Sequence, residues 1–195
     1  RESGAELLAR TGLSSSVEQI IVTAGGQNGL HAIASAILKR GDRVACGRFV
    51  YPGFAAIARR IGVTLVPLAA MTAEALEAAH AAAPLRALYI VPTNDNPTTA
   101  TIEIGERRAI AAWAEETGVQ IIEDDAYGLL PDAPIPAIAS FAPRVGWYVT
   151  SMAKIVSPAL RVGFVRAPGV AEAMQIAACQ HESAVMAPPL NVAMV

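Results

Sequence analysis

Short apolar runs alternate with longer amphipathic stretches along most of this chain, and that rhythm narrows the possible folds more than any other feature. The runs are Ile20 to Thr23, Arg43 to Cys46, Thr64 to Pro67, Ala87 to Val91, Val119 to Ile122, Trp147 to Thr150 and Val162 to Val165. Between them, Asn28 to Leu38, Phe54 to Ile61, Ala73 to Ala81 and Gly105 to Glu116 read as helices. Strand and helix in repeated alternation predict an α/β domain of three layers, helices on both faces of a mostly parallel sheet. The strands are nearly continuous in apolar residues, as strands covered on both faces are. Gly41, Gly62 and Gly118 follow three of the helices, where a glycine stop is expected. One connection breaks the rhythm. About ten residues separate Thr150 from Val162, and a parallel crossover needs about a dozen or more. Pro158 discourages a helix there. The last strand is therefore predicted to run antiparallel to its predecessor.

The composition agrees with a buried sheet. With 195 residues, 53% of them hydrophobic and 16% charged, the chain can bury a core and is not disordered. A formal net charge of -2 gives no overall basic footprint for nucleic acid. No apolar run approaches the roughly 18 residues of a membrane-spanning helix, so no membrane partner is expected. Cys46 and Cys179 make neither a disulfide framework nor a metal-ligand spacing. Both are read as buried thiols in a reducing compartment, the cytoplasm, and no metal site is predicted. The chain starts at Arg1 without a signal peptide and stops at Val195 inside the apolar "PPLNVAMV". It reads as a piece of a longer protein.

In an open α/β sheet, ligands bind beyond the carboxyl ends of the strands. The first strand is followed by Ala24-Gly25-Gly26-Gln27-Asn28, and the second by Phe49-Val50-Tyr51-Pro52. Thr93-Asn94-Asp95-Asn96-Pro97-Thr98 follows the fourth, and Glu123-Asp124-Asp125-Ala126-Tyr127 the fifth. Ser151-Met152-Ala153-Lys154 follows the sixth, and Arg161 precedes the last. Each has an ordinary reading: a tight turn, a helix cap, a solvated charge. Together they place six polar loops on one rim. Glycines allow close backbone approach, and a helix start offers free N–H groups to an anion. The set suits a single phosphorylated aromatic aldehyde.

The segments "AGGQNGL", "VYPGF", "NDNPTT", "EDDAYG" and "SMAKIVSPALRVG" resemble the fold-type I pyridoxal-phosphate (PLP) enzymes, the aspartate aminotransferase superfamily, over essentially the whole chain. The stretches "NPTTATI", "EDDAYGLLP" and "MAPPL" are most similar to the aminotransferase-like domain of MocR-type regulators of the GntR group. The resemblance implies that Lys154 forms a Schiff base with PLP and that Asp124 pairs with the pyridine nitrogen, favouring the protonated ring. It implies that Tyr127 and Asn96 donate to the ring phenolate oxygen, with Tyr51 on one ring face and Ala126 on the other. Ser151, Arg161 and the backbone N–H groups of Gly26 and Gln27 are implied to hold the phosphate, arginine because its planar fork meets phosphate oxygens in pairs. Ala153, Thr99 and Ile155 depart from residues common in relatives; none removes a group that Schiff-base chemistry requires. The resemblance further implies a homodimer, a small C-terminal domain beyond Val195, and an N-terminal winged helix that would carry any DNA contact. The expected ligand besides PLP is an amino acid or amine.

Other readings are weaker. Ser151-Met152-Ala153-Lys154 matches the S-x-x-K of penicillin-binding proteins and β-lactamases, but neither S-D-N nor K-T-G occurs, and Ser151 ends a predicted strand rather than starting a helix. "AGGQNG" lacks the G-x-G-x-x-G spacing of a dinucleotide fold. Within the PLP reading two functions remain. One is the effector domain of a transcription factor that senses an amino compound; the other is a transaminase. The subgroup resemblance favours the first.

Overall fold

A computed structural model describes all residues, Arg1–Val195. Seven strands form one sheet: β1 (Ile20–Thr23), β2 (Arg43–Gly47), β3 (Thr64–Leu68), β4 (Ala87–Ile90), β5 (Gln120–Asp124), β6 (Gly146–Ser151) and β7 (Gly163–Arg166). The helices are α1 (Glu2–Ala9), α2 (Gly26–Ile37), α3 (Pro52–Ile61), α4 (Ala73–Ala82), α5 (Ile104–Thr117), α6 (Ile138–Phe141), α7 (Met152–Ile155), α8 (Val170–Ala184) and α9 (Pro189–Ala193). Every strand and helix expected from the sequence is present. The short helices α1, α6, α7 and α9 were not foreseen, nor was the longer α8. The latter buries only Ala173, Ile176 and Gln180, a stripe too narrow to stand out in an alanine-rich segment.

The strand order is β1-β7-β6-β5-β4-β2-β3. Strand β7 runs antiparallel to both of its neighbours, and all the other pairs are parallel. The short connection before β7 therefore has the predicted consequence, although it is not free of helix. It holds the single turn α7 and a 3-10 turn, Pro158–Leu160, in which proline takes a tolerated first position. Side chains alternate between the two faces. On one face Ile33, Phe54, Tyr89, Ile122, Trp147 and Ile176 pack together beneath α2, α3 and α8. On the other, Leu76, Leu88, Ile110, Trp113, Ile121 and Ile138 pack beneath α4, α5 and α6. A third cluster, with Leu8, Leu13, Ile20, Tyr148 and Phe164, tucks α1 against the β1 edge.

Two sequence expectations need correction. Gly62 and Gly118 do cap α3 and α5 in the left-handed conformation. Gly41 does not cap α2, which ends at extended Leu38; its N–H instead donates to the Gly62 carbonyl in a turn. Cys46 is buried as expected, but Cys179 is only half-buried on α8, where the helix meets solvent. Both thiols are free.

Helix α2 lies close on the sheet because Gly29 has no side chain. A Cβ there would come within 2.7 Å of Val165 Cγ2 and 3.3 Å of Val149 Cγ1, both in the strand layer. Gly29→Ala should gain about 1 kcal/mol of helix propensity and lose more, about 1–3 kcal/mol, to overpacking. A lowered urea midpoint is the expected result. An unchanged or raised midpoint would show that α2 can lift off the sheet at no net cost.

Candidate functional site

The carboxyl ends of β1, β2, β4, β5 and β6 and the amino end of β7 share one rim, and the register sets what meets there. Thr23 of β1 and Ser151 of β6 both pair with Gly163 of β7. The turn Ala24-Gly25 leaves β1 and starts α2 at Gly26, with Gly25 at φ 82, a left-handed conformation that favours glycine. A Cβ on Gly25 would lie 2.7 Å from Arg161 Nη2, and one on Gly26 would lie 3.6 Å from Ser151 Oγ. The Arg161 guanidinium thus lies directly over the bare backbone of Gly25, with the Ser151 hydroxyl beside Gly26. The first N–H groups of α2, which have no intrahelical partner, emerge at the same place. Arg161 itself has φ 49, outside the usual range for a side-chain-bearing residue. Such a conformation costs about 1 kcal/mol or more and persists where the surroundings over-determine it. No carboxylate pairs with Arg161 or Lys154; the only ion pair in the protein is Arg144 with Glu115.

Asp124 ends β5 on the α2–α3–α8 face. It is 9% exposed, and burial pushes its carboxyl up to about 6, while the hydrogen bond from Tyr89 opposes that rise. The Tyr89 hydroxyl donates to Asp124 Oδ2 at 2.7 Å, and no other protein group donates to this carboxylate. Such a group accommodates a cationic partner well, since an adjacent positive charge would favour its ionised form. Gln27 and Tyr51 meet over Gly53 at the start of α3, where Gln27 Nε2 donates to the Gly53 carbonyl at 3.3 Å. Lys154 is exposed in the single turn α7, Asn96 is exposed in the loop after β4, and Tyr127 and Ala126 are half-buried after β5. The side chains of Lys154, Asn96 and Tyr127 make no hydrogen bond within the chain. Ser151 both ends β6 and starts α7. The serine position therefore does not separate this site from an S-x-x-K hydrolase; the missing partner motifs do.

A buried polar network beneath the rim was not read from the sequence. Arg107 of α5 is fully buried. Its Nε donates to Ile102 O at 2.8 Å, Nη2 to Pro92 O at 3.0 Å and to Thr93 Oγ1 at 2.9 Å, and Nη1 to Pro136 O at 3.2 Å. One guanidinium thus ties down both ends of the loop carrying Asn96 and the segment after Tyr127. The Glu123 carboxylate accepts from the N–H groups of Ile138 and Ala139 at 2.9 and 2.7 Å. The Tyr148 hydroxyl donates to Asp125 Oδ2 at 3.1 Å. Glu123 and Asp125 lie in the "EDDAYG" segment, but nothing in the sequence marks their burial or ties them to Tyr148 or to Arg107, because a lone buried arginine looks like the far commoner solvated one.

The family model for aminotransferase class I and II matches residues 1–192. The chain belongs to this family. It is 34% identical over 172 residues to the uncharacterised HTH-type transcriptional regulator YdeF of Bacillus subtilis, covering 86% of this chain and 37% of that protein. It is 29% identical over 157 residues to the 2-aminoadipate transaminase of Thermus thermophilus, covering 75% of this chain and 40% of that one. Among solved structures, the α-aminoadipate aminotransferase LysN of Thermus thermophilus, complexed with N-(5'-phosphopyridoxyl)-L-leucine, superposes with a TM-score of 0.85 at 25% identity, over 96% of this chain and 51% of that one. The chain thus spans about 40% or less of these curated relatives' length. The fold is the three-layer α/β/α fold of aminotransferases, with one antiparallel strand. No helix is long and apolar enough to cross a membrane.

The two carboxyls under the rim set a pH dependence. Burial and the neighbouring Asp125 push Glu123 up to about 8, and burial raises Asp125 as well. The native state therefore binds more protons than the unfolded chain between about pH 4.5 and 8. The corresponding stability is fully present below that window and is lost as pH rises through 8, with a slope up to about 1.4 kcal/mol per pH unit for each proton. Urea midpoints should fall from pH 5 to pH 8.5, and less steeply in Asp125→Asn, where Glu123 loses its neighbouring charge. Equal slopes would mean that the two carboxyls do not interact.

Proposed function

We propose that this chain is the large PLP-holding domain of a longer transcriptional regulator, in which an amino compound at the cofactor shifts a conformational equilibrium. Aminotransferase catalysis between an amino acid and a 2-oxo acid is the second reading. The observation that carries the cofactor is the pair of opposite charges set apart on one rim. An unpaired Arg161 guanidinium lies over bare Gly25 beside the start of α2, and a buried Asp124 carboxylate has a single protein donor. A dianionic phosphate and a basic ring nitrogen are the complements of these two groups.

On this reading Arg161, Ser151 and the N–H groups of Gly26 and Gln27 hold the phosphate. Asp124 holds a proton on the ring nitrogen. Asn96 and Tyr127 donate to the phenolate oxygen, Tyr51 and Ala126 bound the ring faces, and Lys154 supplies the amine that anchors the aldehyde. When bound, PLP supplies an electron sink for bonds at the α-carbon of an amino substrate. Lys154, once free, is the base that takes or returns the proton at that carbon. The same residues serve a sensor, which needs binding and a conformational response but no turnover. The likeness to an HTH-type regulator supports the sensor, with DNA contacted through a separate domain, a homodimer as the working form and the cytoplasm as its place. The likeness to a transaminase supports the enzyme. Steady amino-group transfer by the native-length protein would decide for the enzyme; a ligand-dependent change in DNA affinity without turnover would decide for the sensor.

Titration with PLP should give a visible absorbance band that Lys154→Ala lacks, and borohydride reduction followed by peptide mapping should place the label on Lys154. A label on another lysine or on none would overturn the assignment. Arg161→Ala should lose at least tenfold in affinity for PLP and much less for unphosphorylated pyridoxal, since a charge-assisted bond to phosphate is worth about 1.5–3 kcal/mol. Equal losses for both ligands would mean that Arg161 does not touch the phosphate.

A further inference from the structure

We propose that Tyr89 is a positioning residue for the cofactor: its hydroxyl fixes the Asp124 carboxylate in one orientation and keeps the shared proton on the ring nitrogen rather than on Asp124. This rests on the PLP reading of the site and assigns a role to a residue outside the loops that form it.

Tyr89 lies inside β4, whose four residues are all buried. It pairs with Ile122 of β5, so Asp124 stands two residues further along on the same face of the sheet. The tyrosine ring spans that offset, and its hydroxyl reaches Asp124 Oδ2 at 2.7 Å. The ring cannot swing. Phe54 of α3 is stacked on it with centroids 3.9 Å apart and planes 7° apart, and only 3% of the residue is exposed. A clamped ring gives its hydroxyl one direction and hence gives Asp124 one favoured rotamer. The second carboxylate oxygen is left without a protein donor.

The electrostatics point the same way. Burial alone drives a proton onto Asp124, and the Tyr89 bond is the one local contribution that opposes it; Asp125, from the other face of β5, adds to the burial effect. Burial and the negative charge of Asp124, with smaller contributions from Tyr51 of the α3 start and Asp95 of the loop after β4, hold the Tyr89 proton in place, so the hydroxyl stays a donor at any working pH. A proton shared between two bases sits on the one with the higher affinity. Removing the Tyr89 donor raises the affinity of Asp124 and draws the proton off the ring.

Tyr89→Phe tests this, since it keeps the stacked ring and the buried volume and deletes only the hydroxyl. The probe is PLP labelled with 15N in the ring, bound to the wild-type chain and to the variant. The 15N chemical shift against pH reports ring protonation directly, whatever the turnover. Wild type should keep a protonated ring nitrogen at neutral pH. In Tyr89→Phe the protonation constant should fall about tenfold or more, a shift of one unit or more in the midpoint, and PLP affinity should fall several-fold. In an Asp124→Ala background the same change should have no further effect on affinity. An unshifted 15N midpoint, or an equal affinity loss with and without Asp124, would mean that Tyr89 only packs and would overturn the proposal while leaving the cofactor reading intact. A wild-type chain that takes up no PLP would overturn both.

Discussion

A sheet covered on both faces restricts where charge can go. Ile33, Phe54 and Ile176 close one side, and Leu76, Ile110 and Trp113 close the other. A charged group between those layers would be left in a low-dielectric interior at a cost of several kcal/mol. The ends of the strands are the places where the backbone turns outward and polar side chains can reach solvent or a ligand. One antiparallel strand, β7, brings Gly163 and the preceding Arg161 to the same end as Thr23 and Ser151. The concentration of polar groups on a single rim is thus a consequence of burial and topology together.

Three exceptions to that exclusion lie just beneath the rim. Arg107, Glu123 and Asp125 are buried charged residues, and each is engaged by fixed polar groups. Arg107 satisfies carbonyls in two separate loops, which costs desolvation but leaves those loops little freedom. Site residues on loops hold their geometry only when something rigid braces them. Here the brace is a guanidinium and a carboxylate that bond almost entirely to backbone. Asp124 differs in kind. It faces the opposite side of β5 from Glu123 and has one protein donor, the Tyr89 hydroxyl, which leaves its other oxygen free for a ligand.

The reading of the site as a PLP cradle leaves regulator and transaminase standing side by side, for a physical reason. Holding the cofactor needs an anion cradle, a counter-charge for the ring nitrogen and an amine. Turnover adds orientation of a second substrate, and sensing adds a coupled conformational change. Neither addition is visible in the residues proposed to hold the cofactor.

Much of the architecture was legible in the residues. Apolar runs located all seven strands, and the short Thr150 to Val162 connection announced the antiparallel strand because chain length limits a crossover. Asp124, Lys154, Arg161 and Ser151 stood out through the resemblance that their loop motifs carry, and all four lie at the rim. Gly41 was misread because a glycine after a helix serves a turn as readily as a cap. Tyr89 and Arg107 were silent, because a tyrosine in a strand and an arginine on a helix have ordinary explanations. By itself, then, the sequence determined the seven strands, the four helices between them, the antiparallel sense of the last strand and the polar loops at the strand ends: properties of local pattern and chain length. Only the tertiary structure decided that β4 lies beside β5, so that a hydroxyl 35 residues away in the chain meets Asp124, and that one buried guanidinium joins two loops. Such contacts depend on strand order and register, which arise when the whole sheet closes and which no short stretch of chain encodes.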